Sequence, residues 1–267
     1  MKGFIFDLDG TIYVDDEIIE GVPEAVNALK QRGDKVVFLT NKSIASRKDY
    51  VNKLKGLGIE VELHEVINSN YITAHYLKSV MKQEDSVYVI GEAPLFEELS
   101  EENIRLATDA KDATYVVLGW DRKFTYDKLN DAFQAWRNGA RIIATNPDRT
   151  CPVLDGEIPD CGAMIGAIEG ATGESVHMIT GKPSMMMAEY VLNNVLKMRS
   201  EDCYMVGDRL ETDIKMANEA SINSVLVMTG ITNDEMLKTT AYLPDYVLSS
   251  VKDIAKLETN SNKFTLL

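Results

Sequence analysis

The chain has little positive charge: 28 lysines and arginines stand against 42 aspartates and glutamates, a net charge of -14 over 267 residues. A surface for nucleic acid or anionic membrane needs a basic face that releases counterions, so neither partner is expected. Cysteine is scarce as well. Cys151, Cys161 and Cys203 are an odd number in no zinc spacing, which excludes a disulfide scaffold and points to a reducing compartment, with cytoplasm as the expected location. No apolar run approaches a membrane span, and the opening MKGFIFDLDG reaches Asp7 and Asp9 before the apolar core of a signal peptide could form. Neither G-x-x-x-x-G-K-[ST] nor G-x-G-x-x-G occurs, so nucleoside-triphosphate and dinucleotide readings lack support. His64, His75 and His177 fall in no nucleophile or metal motif.

What is present is an average globular composition, 45% hydrophobic and 26% charged, enough to bury a sizeable core in one large domain or two ordinary ones. Short apolar runs alternate with helix-period segments, the signature of parallel βαβ units. GFIF reads as the first strand. Val22, Val26 and Leu29 mark a helix over Pro23 to Arg32 that closes at Gly33, and KVVFL follows as a strand. A helix from Ser46 to Leu57 ends at Gly58, and HEVINS with YITAHYLKSVM gives a third strand and helix. The middle of the chain repeats this grammar with SVYVIG, TYVVLG and ARIIAT and helices around Leu95 to Leu99 and Tyr126 to Arg137. From Val176 strand and helix units return: HMIT, the helix PSMMMAEYVLNNVLK, CYMVG, a helix from Thr212 to Ala220, and SVLVM. The expectation is a doubly wound parallel α/β sheet, residues 1–80 and 178–267, interrupted by a second α/β domain at 81–177. Gly162, Gly166 and Gly170 recur every four residues and suggest close helix packing. The polar end ETNSNKFTLL reads as loosely docked.

Four segments fall just beyond a strand or at a helix start, where open α/β sheets place ligands. DLDGT sets Asp7 and Asp9 at one sheet edge, with Gly10 for a sharp turn and Thr11 to hydrogen-bond it; alternatively it is a solvated turn. Thr40 and Asn41 end a strand and can offer a hydroxyl and a backbone N–H to phosphate oxygens, although the segment could equally lead into a helix N-cap at Ser43 or Ser46. TGKPS sets Lys182 before a helix opened by Pro183, where a surface lysine is the plainer reading. GDRLETD sets Asp208 and Asp213 after an apolar strand, although acidic first turns also simply complement the helix dipole. Together, and in this order, the four favour a site.

This set resembles the haloacid dehalogenase superfamily of phosphatases, whose four motifs occur here as DLDGT, Thr40 with Asn41, Lys182, and GDRLETD. Only a turn, a helix and a strand fit between Asp9 and Thr40, so the cap domain of that superfamily falls between Thr40 and Lys182. The inserted C2-type cap, with GWDRKFTYDKL, ATNPD and GKPS, looks like the NagD or p-nitrophenyl phosphatase subgroup. The resemblance implies a Rossmann-like core with an α/β cap and a magnesium-dependent hydrolase of small phosphomonoesters, of the sugar phosphate or nucleoside monophosphate class. It further implies that Asp7 attacks phosphorus to form an aspartyl-phosphate, and that Asp9 protonates the leaving oxygen and then deprotonates water. Mg2+ would be held by Asp7, the main-chain carbonyl of Asp9 and Asp208, with Asp213 orienting bound waters, while Lys182, Thr40 and Asn41 bind phosphate.

Two positions depart from that subgroup. Lys42 stands where many relatives carry a second Asn, which suggests a substrate with a second anionic or electron-rich group. Cys151 stands where vitamin B6 phosphatases have His, which argues against pyridoxal phosphate. With Lys42, the cap residues Asn146, Asp148, Arg149 and Cys151 are the candidates for reading the leaving group. A cap-mediated homodimer is the assembly that analogy offers. The rivals are a phosphotransferase or mutase using the same intermediate and a silent phosphate-binding module.

Overall fold

The computed structural model describes residues 1–153 and 156–258. The expected loose end lies outside the described residues from position 259 on. Strand β1, Gly3–Phe6, is fully buried and runs into a short hairpin, β2 (Tyr13–Val14) and β3 (Glu17–Ile18). Helix α1, Val22–Gln31, buries Val22, Val26 and Leu29, the stripe the sequence shows, and Gly33 follows it at φ +89°. Then come β4 (Lys35–Thr40), α2 (Arg47–Gly56), β5 (Val66–Asn68) and α3 (Ser69–Val80).

A second run of strand and helix units follows: β6 (Val87–Ile90), α4 (Ala93–Glu101), β7 (Tyr115–Leu118), α5 (Tyr126–Arg137) and β8 (Arg141–Ala144). The antiparallel hairpin of β9 (Thr150–Val153) and β10 (Gly156–Pro159) leads into α6 (Cys161–Thr172) and β11 (Met178–Ile179). The chain continues with α7 (Met185–Tyr190), prolonged by π-helical turns over Val191–Leu196, and with β12 (Cys203–Gly207). It closes on α8 (Lys215–Glu219), β13 (Asn223–Val227), α9 (Asp234–Thr239) and β14 (Tyr246–Leu248).

Two compact units result. The first holds Met1–Thr40, Arg47–Ile67 and the described chain from Pro183 on; the second holds Asn41–Ser46 and Asn68–Lys182. The first is built on a six-stranded sheet ordered β14-β13-β12-β1-β4-β5. Numbered within that unit alone, the strands run 3-2-1-4-5-6 from β5 to β14, the doubly wound order that reverses direction between β1 and β12. The second has a parallel four-stranded sheet, β11-β8-β7-β6, with its own core of Trp120, Ile142, Ile165 and Ile168 among others.

One strand sits elsewhere than expected. HMIT reads in sequence as a strand of the first sheet, but Met178 and Ile179 pair with Ile143 and Ala144 of β8. A two-residue strand carries too little pattern to choose a partner, and the backbone bonds of the second sheet's exposed edge decided it. Gly162 approaches a loop rather than a helix: a Cβ there would lie 2.7 Å from the Pro147 carbonyl, whereas Gly166 and Gly170 face open space. No helix among the described residues is long and apolar enough to cross a membrane.

Candidate active site

The reversal of strand order leaves a crevice at the carboxyl ends of β1 and β12, because the connections leaving those two strands diverge. Phe6 is in register with Val206, and the Asp7 N–H donates to the Val206 carbonyl at 2.9 Å. Asp7 therefore leaves the sheet beside Gly207 and Asp208. This is the first step by which pairing register, invisible in the sequence, brings together residues two hundred positions apart.

Asp7, Asp208 and Asp213 are buried, and each offers a carboxylate oxygen within 4.8 Å of the others. When ionised, neighbours this close repel by about 3 kcal/mol per pair at an effective dielectric near 20. The folded chain accepts that because specific donors hold the acids in place. The Ile231 N–H donates to Asp208 Oδ2 at 2.7 Å, and the Thr232 hydroxyl donates to the Asp208 carbonyl at 2.5 Å. Gly230 is needed for this approach, since a Cβ would sit 1.9 Å from Asp208 Oδ2. Asp213 accepts from the Arg209 N–H at 3.1 Å and rides on a wide π-helical turn, Leu210–Ile214, which precedes α8. An all-oxygen, multiply anionic and buried donor set suits a hard divalent cation.

Asp9 is half-buried in a tightly wound turn. The Gly10 N–H donates to the Tyr13 carbonyl at 2.8 Å, and the Ile12 and Tyr13 N–H groups donate to the Leu8 carbonyl at 2.8 and 3.3 Å. Gly10 takes φ +84°, and the Thr229 hydroxyl donates to its carbonyl at 2.6 Å. Thr11 is buried and reaches Asp7 Oδ2 at 3.4 Å, a long contact. Burial pushes the Tyr13 phenol well above its ordinary pKa, and the nearby Asp9 carboxylate adds to this.

The second unit assembles a different cluster. The Asn41 side chain clamps Lys182 from both sides: its amide nitrogen donates to the Lys182 carbonyl at 3.0 Å, and its oxygen accepts from the Lys182 N–H at 2.8 Å. The Asn41 carbonyl accepts from Ser69 Oγ at 2.7 Å and from Asn146 Nδ2 at 3.0 Å. The side chain of Asn146 is thus turned inward, with its oxygen taking the Asp148 N–H at 3.0 Å. Of the other expected residues, Lys42 and Asp148 are half-buried, Arg149 is exposed and Cys151 is buried. Thr40 is buried at the end of β4 in the first unit, one peptide bond from Asn41.

Sequence reasoning passed over Ser69 and the loop Thr229 to Thr232. The loop had a readable signal, since TGIT follows the strand SVLVM at the same edge as the other motifs. Ser69 had none, because its role depends on a contact 28 residues away. Two of the three thiols offer no rival nucleophile: burial pushes Cys161 up to about 12 and Cys203 up to about 11.

Comparison with known proteins supplies context for this geometry. The family model described as haloacid dehalogenase-like hydrolase matches residues 4–105, and a second, HAD-hydrolase-like, matches residues 179–254. The chain is 40% identical over 255 residues to the sugar-phosphatase AraL of Bacillus subtilis, covering 96% of this chain and 92% of that protein. Among solved structures, p-nitrophenyl phosphatase from Archaeoglobus fulgidus superposes with a TM-score of 0.89 at 35% identity, covering 96% of this chain and 98% of the other. NagD from Escherichia coli K-12 gives a TM-score of 0.85 at 28% identity, covering 95% and 98%.

Proposed function

The chain belongs to the haloacid dehalogenase-like hydrolases, and we propose that it hydrolyses small phosphomonoesters through a covalent phosphate on Asp7. The observation that carries this reading is the convergence of Asp7, Asp208 and Asp213 at the point where the sheet reverses its strand order. Three buried acids in one crevice are hard to explain as structure, since apolar residues would fill that space without repulsion.

Asp7, ending β1, is the nucleophile. Its oxygen forms the new bond to phosphorus as the bond to the leaving oxygen breaks, and the released electron pair takes a proton from Asp9. Asp9 then removes a proton from the water that attacks the phosphorus and regenerates Asp7. Lys182, with the Thr40 hydroxyl and the Asn41 backbone N–H, binds the phosphate oxygens. Asn41 and Asn146 serve the site differently with their side chains, by fixing the backbone that carries Lys182.

The donor set fits Mg2+: Asp7, the main-chain carbonyl of Asp9 and Asp208 would hold it, with Asp213 behind them. When bound, it would offset the charge that gathers where carboxylates meet a phosphate dianion. We assign 1–80 and 178–267 to the catalytic core and 81–177 to the cap, except that Met178 and Ile179 go with the cap sheet they join. The relatives support a sugar phosphate as substrate class, and Lys42 adds a cation suited to a second anionic or electron-rich group on it.

The test is release of inorganic phosphate from p-nitrophenyl phosphate and a panel of sugar phosphates and nucleoside monophosphates, with Mg2+ or EDTA. Metal-dependent release is expected, falling by about a thousandfold or more in Asp7→Asn because the covalent route is closed. Transfer to an added alcohol in place of water would instead make the chain a phosphotransferase. Wild-type protein that released nothing from any compound would sink the reading.

A further inference from the structure

Asp9 has to present its proton to the leaving oxygen, and the turn that carries it, closed by the Gly10, Ile12 and Tyr13 backbone bonds, runs straight into a hairpin with little of its own to secure it. The hairpin that follows has two residues in each strand, Tyr13–Val14 and Glu17–Ile18, and such short ribbons are marginal alone. Its turn places Asp15 at φ +51°, a conformation in which a residue with a side chain is strained. Something outside the hairpin must hold it.

Lys53, in the last turn of α2, does so. Its ammonium donates to the Asp15 carbonyl, pairs with Asp16 Oδ1 at 2.9 Å, and lies 3.9 Å from the centroid of the Tyr13 ring. An ammonium has three donors and favours an aromatic face, so one group secures the strained carbonyl and the buried ring together. The pair with Asp16 is the lesser part, because the Asp16 side chain is 97% exposed and solvent screens it. Tyr13 in turn is hydrogen-bonded on both sides of Asp9: it accepts from Gly10 and donates to Leu8.

We infer that Lys53 is a positioning residue for the general acid, acting through the Tyr13 hairpin to fix Asp9 against the leaving oxygen. The inference rests on the phosphatase reading above and extends it to a residue outside the four motifs. A mispositioned acid matters most when the leaving oxygen is basic and needs the proton as the P–O bond breaks. p-Nitrophenolate leaves readily without it, whereas phenolate, nearly the same in shape, is much more basic.

The experiment compares kcat/KM for p-nitrophenyl phosphate and phenyl phosphate in wild type, Lys53→Met and Lys53→Arg, with thermal melts to confirm folding. Lys53→Met should lose about tenfold or more on phenyl phosphate, part of the 10²–10⁴ that general acid–base catalysis supplies, and less than about threefold on p-nitrophenyl phosphate. Lys53→Arg, which keeps a cation and donors, should recover most of the loss. Should Lys53→Met fail to fold, Lys53→Gln, which still donates to the Asp15 carbonyl but lacks the charge, is read in the same way. Equal losses on the two esters, or none, would overturn the inference while wild-type turnover kept the phosphatase reading intact.

Discussion

At the carboxyl end of the six-stranded sheet three buried carboxylates crowd within 4.8 Å, whereas in the second unit Asn41, Asn146 and Ser69 spend their amides and hydroxyl on one another and on the Lys182 backbone. Both regions are parallel sheets with helical crossovers, so the contrast is one of chemistry rather than architecture. In the first, the acids are kept in place by backbone N–H donors and by the room that Gly230 leaves, and a divalent cation would offset their mutual repulsion. In the second, Asn41, Asn146 and Ser69 need nothing further. One region is arranged for a ligand, the other for holding Lys182 still.

The comparison breaks most visibly at Lys182 itself. Lys182→Met should lower kcat/KM for p-nitrophenyl phosphate by about 10²–10³-fold, the scale of a lost preorganised charge, and steady-state kinetics would reveal it. A loss of only a few-fold would mean the amide cluster has no catalytic charge to hold. The next largest effect belongs to the carboxylates. Mg2+ at about a hundred times its Kd should stabilise the wild type by about 2.7 kcal/mol, seen as a rise in Tm. Asp213→Asn should melt higher than wild type in EDTA, because repulsion is relieved, yet gain less from Mg2+. Identical melts in EDTA would show that the acids do not strain the fold.

The amide cluster should behave in the opposite way. Asn146→Leu removes a donor to the Asn41 carbonyl and an acceptor for the Asp148 N–H, a loss of about 1–3 kcal/mol in denaturant melts, the same with Mg2+ or EDTA. A metal-dependent loss would erase the distinction between the two regions. The smallest effect concerns a surface pair in the second unit, Arg122 with Glu92, where Nε and one terminal nitrogen each reach a carboxylate oxygen at 2.7 Å. The Arg122 hydrogen bonds hold the Glu92 carboxyl below its usual range. A depressed pKa adds stability above the unfolded value near 4.3, and the contribution fades as pH falls through the lower folded value. Glu92→Gln should therefore lower stability by less than about 1 kcal/mol at neutral pH and by progressively less as the pH falls below the unfolded value.

Much of this was legible in the chain before any coordinates. Asp7 and Asp208 each follow an apolar run, and a polar residue just past a strand in an open parallel sheet is a candidate by position alone. Helix α1 could be drawn from Val22, Val26 and Leu29 because burial of one face imposes its spacing. What escaped was set by distant partners. HMIT reads as a strand but does not say which sheet will take it, and β14 lacks enough pattern to stand out. Asn146 reads as a polar cap residue, and only the fold shows its amide spent on Asn41. Lys53 looks like any cation on a helix face until the hairpin is beside it.

The sequence by itself determined the alternation of strands and helices and the candidate site residues at the strand ends, because local periodicity and residue chemistry are properties of short segments, while the roles of nucleophile and acid are what the family resemblance implies. The tertiary structure alone decided that β1 lies next to β12, which sheet received Met178 and Ile179, and that Asn41 closes on Lys182 across 141 residues. Hydrogen-bond pairing between remote segments follows from the packing of the whole chain, and no local pattern encodes it.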